Sequence, residues 1–562
     1  MNIACKPSSK TVWDIKFDVT NKEAENSNMN KTIVKKKSNQ TDIEMVESEV
    51  QEFLFVRQQR RRLFPLAALV GLCAGFVAIL FRGALSGVDM LRNALITWAH
   101  EYPAFGWIFP ILFSAGGALL SYTLMRRYAP ETKGSGIPHL KAVLLRFQEL
   151  EWKRVLPVKF IGGIASIGSG LAMGREGPTV QMGGAIGAAI SQWLKVSPRE
   201  RLTLIAAGAG AGLAAAFNAP LSGLVFVLEE VQRDFQPIVF GAAFLAAAVA
   251  DVVARLGADP FPVFSITKYP TPPLEALPAF AVLGVVAGFL GVAFNRSLVL
   301  SLDLYGRVKN RVLAVTLMGA VIGLIGWFFP MAIGNGHALA EMTLSGMIVL
   351  AAIPAWFLIR FLLTNLSYGT GVPGGIFAPL LVLGALIGLA VGETTQIILP
   401  SAVPIPAVFA VVGMAAYFTA IVRAPLTGVV LIIEMTGNYE QMLPLLISCF
   451  FAYAVAEFMK DLPIYEVLLE RDLLHSQGQH TIGQPVVMDF TVQEGSPFAG
   501  RTVKSLGLPP GCILVRCSNG KREWIPKAGT RLEANTKITA IIEPDASDGI
   551  SILRIGCKAE GE

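Results

Sequence analysis

Charge is scarce in this sequence. Asp, Glu, Lys and Arg make up 16% of its 562 residues while 53% are hydrophobic, whereas soluble domains carry about a quarter charged residues. A soluble globular fold is therefore excluded for most of the chain. Cysteine is also sparse. Cys5, Cys73, Cys449, Cys512, Cys517 and Cys557 are scattered, and the nearest pair, Cys512 and Cys517, has neither the spacing nor the partner pair of a zinc site. Reduced thiols are expected. The histidines (His100, His139, His337, His475, His480) form no HExxH, and there is no P-loop and no GxSG motif. ATP-driven pumping and metal-dependent hydrolysis lose their usual signatures, so no cofactor, metal or nucleic-acid partner is expected. No apolar run followed by a cleavage site opens the sequence, so the amino terminus is expected to stay on the cytoplasmic side.

What charge there is lies at the two ends. Residues 1–62 and 460–562 are polar, and 64–459 is a near-continuous series of apolar runs. Segments near 64–82, 106–125, 238–256, 278–300, 312–331, 342–364, 374–395 and 442–459 approach the roughly 20 residues that cross a bilayer as a helix. Between them, 157–172, 178–194, 202–216, 219–230, 405–420 and 424–435 are apolar but broken by Gly, Pro or Asn. Broken helices inside a membrane line cavities. Lys35, Lys36, Lys37, Arg57, Arg60, Arg61 and Arg62 precede the first span, which places that end in the cytoplasm under the positive-inside rule. Residues 1–63, poor in aromatics, are expected to be largely disordered.

The middle contains a duplication. "GAGAGLAAAFNAPLSGLVFVLEE" (208–230) aligns without a gap on "GMAAYFTAIVRAPLTGVVLIIEM" (413–435), pairing Glu229 with Glu434 and Glu230 with Met435. "GREGPTVQMGGAIG" (174–187) aligns on "GIFAPLLVLGALIG" (375–388), pairing Glu176 with Phe377. Two repeats of about 200 residues follow, and transporters commonly place the substrate site where such repeats meet.

Three glycine-rich turns share one grammar, each running into an apolar helix through a Pro: "GSGIP" (134–138), "GREGP" (174–178) and "GGIFAP" (374–379). Pro suits the first helical turn, and Gly lets backbone approach a ligand. Any one of them is equally a helix-packing glycine motif. Three together suggest helix N-termini converging on a dehydrated anion, held by N–H groups, helix dipoles and the Ser135 hydroxyl. Partial charges of this kind bind an ion and still release it. Glu176 is then an acid beside an anion site. As a carboxylate it can take the anion's place, and when protonated it must leave.

On these residues the chain resembles the CLC family of chloride channels and proton-coupled chloride exchangers, over about 64–470. The resemblance implies an all-α polytopic membrane protein, an inverted repeat of broken and tilted helices (about 64–270 and 276–460), assembled as a homodimer with one pore per subunit. It implies anion binding by Ser135, Gly136, Ile137, Gly174, Arg175, Gly177, Gly375, Ile376, Phe377 and Tyr465. Ser135 is similar to the central anion-coordinating serine, and chloride is the implied substrate because proline and methionine mark nitrate- and fluoride-selective members there. Glu176 resembles the external gating glutamate and Glu230 the internal proton-transfer glutamate. Arg175 is read as a field-shaping or structural charge. Lys141 stands where some bacterial exchangers carry an acid, which leaves the internal proton route open, and His139 beside it is expected at the surface.

After a linker at 471–483, residues 484–558 alternate short apolar strands with turns at "NG" and "PPG", as a small α+β, β-rich soluble domain does. This tail resembles the TrkA-C domain of potassium-transport regulators, and either a small regulatory ligand or a dimerisation role is open for it. Two functions remain on one fold: an exchanger using Glu176 and Glu230, or a passive channel in which Glu176 only gates. A membrane-embedded enzyme or sensor lacks its chemistry. The expected location is the cell membrane, multi-pass, with both termini cytoplasmic.

Overall fold

The computed structural model describes residues 28–233, 235–257, 264, 269–400, 405–476, 486–519, 522–543, 546 and 548–557. The chain divides into two units, Met1–Arg61 and Arg62–Glu562. Helix α1 spans Asn28–Ala99. Helix is thus described over 28–63, where an irregular segment is expected. The stretch holds no Gly or Pro before Pro65 and is rich in Lys, Glu and Gln, which tolerate a helix well. The rest of the expected disordered segment, 1–27, lies outside the described residues.

Among the described residues, eight helices are long and apolar enough to cross a membrane, at Arg61–Ala99, Ile108–Tyr128, Pro237–Gly257, Leu274–Arg307, Arg311–Phe328, Leu350–Gly369, Phe377–Ile398 and Tyr439–Phe458. They overlap the eight runs read from the sequence, though the first extends to Ala99 rather than 82 and the sixth begins at Leu350 rather than 342. In chain order α2 is Ile108–Tyr128, α3 Ile137–Leu144, α4 Trp152–Gly168, α5 Glu176–Trp193 and α6 Pro198–Phe217. Then come α7 at Pro220–Phe226, which runs on into a π-turn at Val227–Val231, and α8 at Pro237–Gly257. The second half holds α9 Leu277–Arg307, α10 Arg311–Phe328, α11 His337–Leu344, α12 Ile353–Gly369, α13 Phe377–Ile398, α14 Ala407–Val422, α15 Pro425–Thr436 and α16 Met442–Phe458.

The broken pieces form the centre. Every residue of α14 is buried, as is α5 from Glu176 to Ser191. Small residues make this possible, because a helix can be buried all round only where neighbouring backbones come close. A methyl group at Gly183 would overlap the Gly208 carbonyl, and one at Gly384 the Gly413 carbonyl. The α5–α6 and α13–α14 pairs therefore pack through the same two glycines of each repeat.

Glu229 and Glu434 tie the repeats together. Glu229, in the π-turn after α7, accepts from Leu426 N (3.0 Å), Thr427 N (2.7 Å) and Thr427 Oγ1 (2.7 Å), at the start of α15. Glu434, near the end of α15, accepts from Leu221 N (3.0 Å), Ser222 N (2.8 Å) and Ser222 Oγ (2.5 Å), at the start of α7. Each carboxylate satisfies N–H groups that a helix leaves unpaired at its first turn. The exchange is reciprocal, as a two-fold relation between the halves requires.

Helix α17, Ile464–Ser476, continues past residue 470 into the stretch expected as linker, since "ERDLLHS" contains no helix breaker; residues 477–485 lie outside the described residues. Beyond it, strands β1 (Val486–Thr491), β2 (Cys512–Ser518), β3 (Glu523–Trp524) and β4 (Lys537–Ile542) form an antiparallel sheet in the order β1-β4-β2-β3, followed by α18 (Asp548–Cys557). Leu514, Cys517, Ile538, Ala540, Ile542 and Leu553 fill its core. On β1, burial works to raise the Asp489 carboxyl, but bonds from Thr539 Oγ1 (2.5 Å) and Lys537 Nζ (3.0 Å) outweigh it and hold the group below its ordinary value.

Candidate anion-binding site

The three glycine turns meet. Gly134 and Gly136 both take positive φ, at 57° and 82°, a region open to Gly and strained for other residues. They hold Ser135 between them, fully buried, at the start of α3. From beneath, the buried Lys159 ammonium donates to the carbonyls of Thr132 (2.9 Å) and Gly134 (2.7 Å). The Gly374 N–H donates to the Gly134 carbonyl at 2.9 Å, joining the first turn to the third. Gly174 and Gly375 exchange both backbone hydrogen bonds, at 2.7 and 2.8 Å, joining the second to the third. A methyl group on Gly177 would stand 2.7 Å from Ser135 Cβ, so the first and second turns are in contact as well.

Around this junction the N-termini of α3, α5 and α13 carry first-turn N–H groups, which suit an anion. Glu176 already uses one of them. Its side chain is buried, lies against Gly174, and its Oε2 accepts from Ala378 N at 3.4 Å in the first turn of α13. The carboxylate thus stands where a bound anion would be stabilised. Arg175 makes no ion pair with Glu176; its Nη2 reaches the Ala216 carbonyl at 3.4 Å, and it lines a cavity of about 530 Å³ with Arg82, Arg92 and His337. Ile137 and Ile376 are buried at their turns. Phe377 is buried against Phe418 and Phe217, with ring centroids 4.4 and 5.2 Å away.

Tyr465, in the first turn of α17, is fully buried, and its hydroxyl has no hydrogen-bond partner among the described residues. A buried phenol left unpaired is costly. A second phenol, Tyr368 at the end of α12, was not legible from sequence. Its hydroxyl accepts from the Ser135 N–H at 3.4 Å. No motif surrounds it, and it reaches the site from 233 residues away.

Glu230 belongs to a separate charged cluster, buried at Glu230 and Lys141 and open to solvent at Glu466 and Arg233. Lys141 Nζ donates to Glu230 Oε1 at 2.7 Å and to Glu466 Oε1 at 2.6 Å. Arg233 Nη2 lies 3.0 Å from Glu466 and 3.7 Å from Glu230. Sequence reasoning missed Glu466, although it adjoins Tyr465. It also misplaced His139, which is buried rather than at the surface, with Nδ1 3.1 Å from Gln181 Nε2. The reason is that α3 is surrounded on all sides, buried from Ile137 to Val143.

Helix N-termini of two related halves thus meet at one junction beside a carboxylate on a glycine turn, in a protein with eight described helices long and apolar enough to cross a membrane. Comparison with known proteins gives its family. The model described as "Voltage gated chloride channel" matches residues 117–457, and that of the TrkA-C domain matches 487–550. The chain belongs to the voltage gated chloride channel family. It is 40% identical over 416 residues to the H(+)/Cl(-) exchange transporter ClcA of Vibrio parahaemolyticus, covering 73% of this chain and 89% of that one. Among solved structures, a slow cyanobacterial Cl−/H+ antiporter is 38% identical, with a TM-score of 0.72 over 74% of this chain and 99% of the other. A eukaryotic CLC transporter is 26% identical, with a TM-score of 0.63 over 74% and 75% of the two chains.

Proposed function

We propose that the protein is an H+/Cl− exchanger. The observation that carries this reading is Glu176 Oε2 on the Ala378 N–H, a carboxylate in an anion's position beside Gly177, the residue that packs on Ser135. The names of the ClcA relative and of the cyanobacterial neighbour, both exchangers of chloride and protons, support it.

Chloride is held by the Ser135 and Tyr465 hydroxyls and by the first-turn N–H groups of the turns at Gly136–Ile137, Gly174–Gly177 and Gly375–Phe377. These groups carry partial charges, so the ion is bound and released. Chloride and the Glu176 carboxylate compete for the same donors. Protonation removes the negative charge, the carboxyl leaves the α13 N-terminus, and chloride enters. Loss of that proton to the external side returns the carboxylate and expels the ion. Glu230 supplies protons from the cytoplasmic side, and Arg175 shapes the field at the outer mouth. The working unit is a homodimer in the cell membrane with both termini cytoplasmic, and the sheet domain serves either to receive a small regulatory ligand or to aid dimerisation.

The test is proton movement in liposomes under an imposed chloride gradient, for wild type, Glu176→Ala and Glu230→Gln. Uphill proton movement in wild type, lost in both variants while chloride still passes, is the expected result. Chloride flux without proton movement in wild type identifies a passive channel instead.

A further inference from the structure

Glu230 does not face water. Its side chain is 1% exposed and that of its partner Lys141 is 3% exposed, whereas Glu466 is 31% exposed. One ammonium lies between the two carboxylates, 2.7 Å from Glu230 Oε1 and 2.6 Å from Glu466 Oε1. Two hydrogen bonds therefore form a continuous path from solvent to the buried acid, with Lys141 as its single intermediate. Arg233 borders both carboxylates, at 3.0 and 3.7 Å, so two cations balance two anions before any proton is added.

We propose that Glu466 is the proton-entry acid of this protein and Lys141 the shuttle between it and Glu230. The proposal rests on the exchange reading above. Glu466 first takes a proton from water. The Nζ–H bond facing Glu230 then breaks as its proton forms an O–H bond on Glu230 Oε1. The neutral amine takes the proton from Glu466, which restores ammonium and carboxylate. The net result is one proton moved from Glu466 to Glu230, with Lys141 unchanged. A lysine can do this because a buried ammonium gives up its proton far more readily than a guanidinium. Glu229 cannot serve as the entry acid, because its carboxylate is committed to the start of α15.

The tests are Glu466→Gln and Lys141→Arg in liposomes, reading proton and chloride flux together as the pH on the cytoplasmic side is varied. Lys141→Arg keeps the charge and removes the shuttle. Both variants are expected to keep chloride flux within about twofold and to lose proton flux by about tenfold or more, the scale of losing one positioned proton-transfer group. Glu466→Asp should retain most of the proton flux and its pH profile. If Glu466→Gln gives no folded protein, Lys141→Arg and Glu466→Asp decide the matter. Proton flux in Lys141→Arg equal to wild type, or chloride and proton flux falling in the same proportion in every variant, overturns the proposal and leaves an ion-pair scaffold. Coupled wild type with coupled Glu466→Gln defeats this inference alone, whereas a wild type that moves no protons defeats the exchange reading with it.

Discussion

Lys159 in the first repeat and Arg360 in the second hold equivalent places. Each is fully buried, and each donates to two carbonyls of the turn before a short helix, Thr132 and Gly134 in one case and Ala332 and Gly334 in the other. The turns match as well, with φ of 57° and 82° at Gly134 and Gly136 against 68° and 80° at Gly334 and Gly336. Yet "GSGIP" leads to the junction, while "GNGHA" borders the cavity that Arg175 lines. The same asymmetry recurs elsewhere. Glu176 stands opposite Phe377 and Glu230 opposite Met435, whereas Glu229 and Glu434 match. What the halves share is architecture, and what differs is a few side chains: the first carries Ser135, Glu176 and Glu230 where the second carries Asn335, Phe377 and Met435.

Met435 is the sharpest place to attack this division. It is buried, and the residue in the place of Lys141, Glu341, is itself acidic and lies 3.3 Å from His337. Met435→Glu should cost roughly 3–5 kcal/mol, the scale of an uncompensated buried charge, and show as loss of monodisperse protein. Next come Glu229→Gln and Glu434→Gln, each expected to cost roughly 1–3 kcal/mol for weakened charge-assisted bonds and to lower the thermal midpoint in detergent by similar amounts. A large effect in one and none in the other would break the architectural equivalence. Gly174→Ala and Gly375→Ala probe the difference within the paired turns. A methyl at Gly174 overlaps Glu176 Oε2, while at Gly375 the nearest atom is Gly177 N at 3.1 Å. The methyl displaces the mobile Glu176 carboxylate in the first case and presses on fixed backbone in the second, where overpacking costs stability, so Gly174→Ala should flatten the pH dependence of chloride flux and Gly375→Ala should lower stability while leaving that dependence largely intact. Tyr368→Phe removes one neutral bond to Ser135, worth about 1 kcal/mol, and should weaken chloride binding several-fold in calorimetric titration. The smallest effect lies outside both repeats. Because Asp489 is held below its ordinary value, its contribution is present above the usual Asp range and fades as pH falls through the lowered value. Asp489→Asn should therefore slightly lower the melting temperature of the sheet domain at pH 7, with the deficit closing in acid.

Much of this was legible because glycine and proline carry conformational information locally. The eight spans, the broken helices and the three turns each follow from residues adjacent in sequence, and the repeat exposed Glu229 as shared. Other features were hidden for a physical reason. The kinship of "GSGIP" and "GNGHA" survives only in two glycines, since Asn335, His337 and Ala338 replace the Ser, Ile and Pro that mark the grammar. Tyr368 and Glu466 act across 233 and 325 residues respectively, and neither stands in a motif that names its partner. His139 was misjudged because a polar residue in a short helix reads as solvent-facing when the surrounding helices are not yet placed.

The exchange between Glu229 and Glu434 bears on how the chain is made. Until α15 emerges, the carboxylate after α7 has nothing to cap, and the start of α7 waits just as long for Glu434. The first half must therefore rest in the bilayer with an open helix end until synthesis of the second is nearly finished. Maturation of the membrane domain is accordingly a late event, complete only when the two halves close on each other like a clasp. Separately expressed halves should recover activity only when made together.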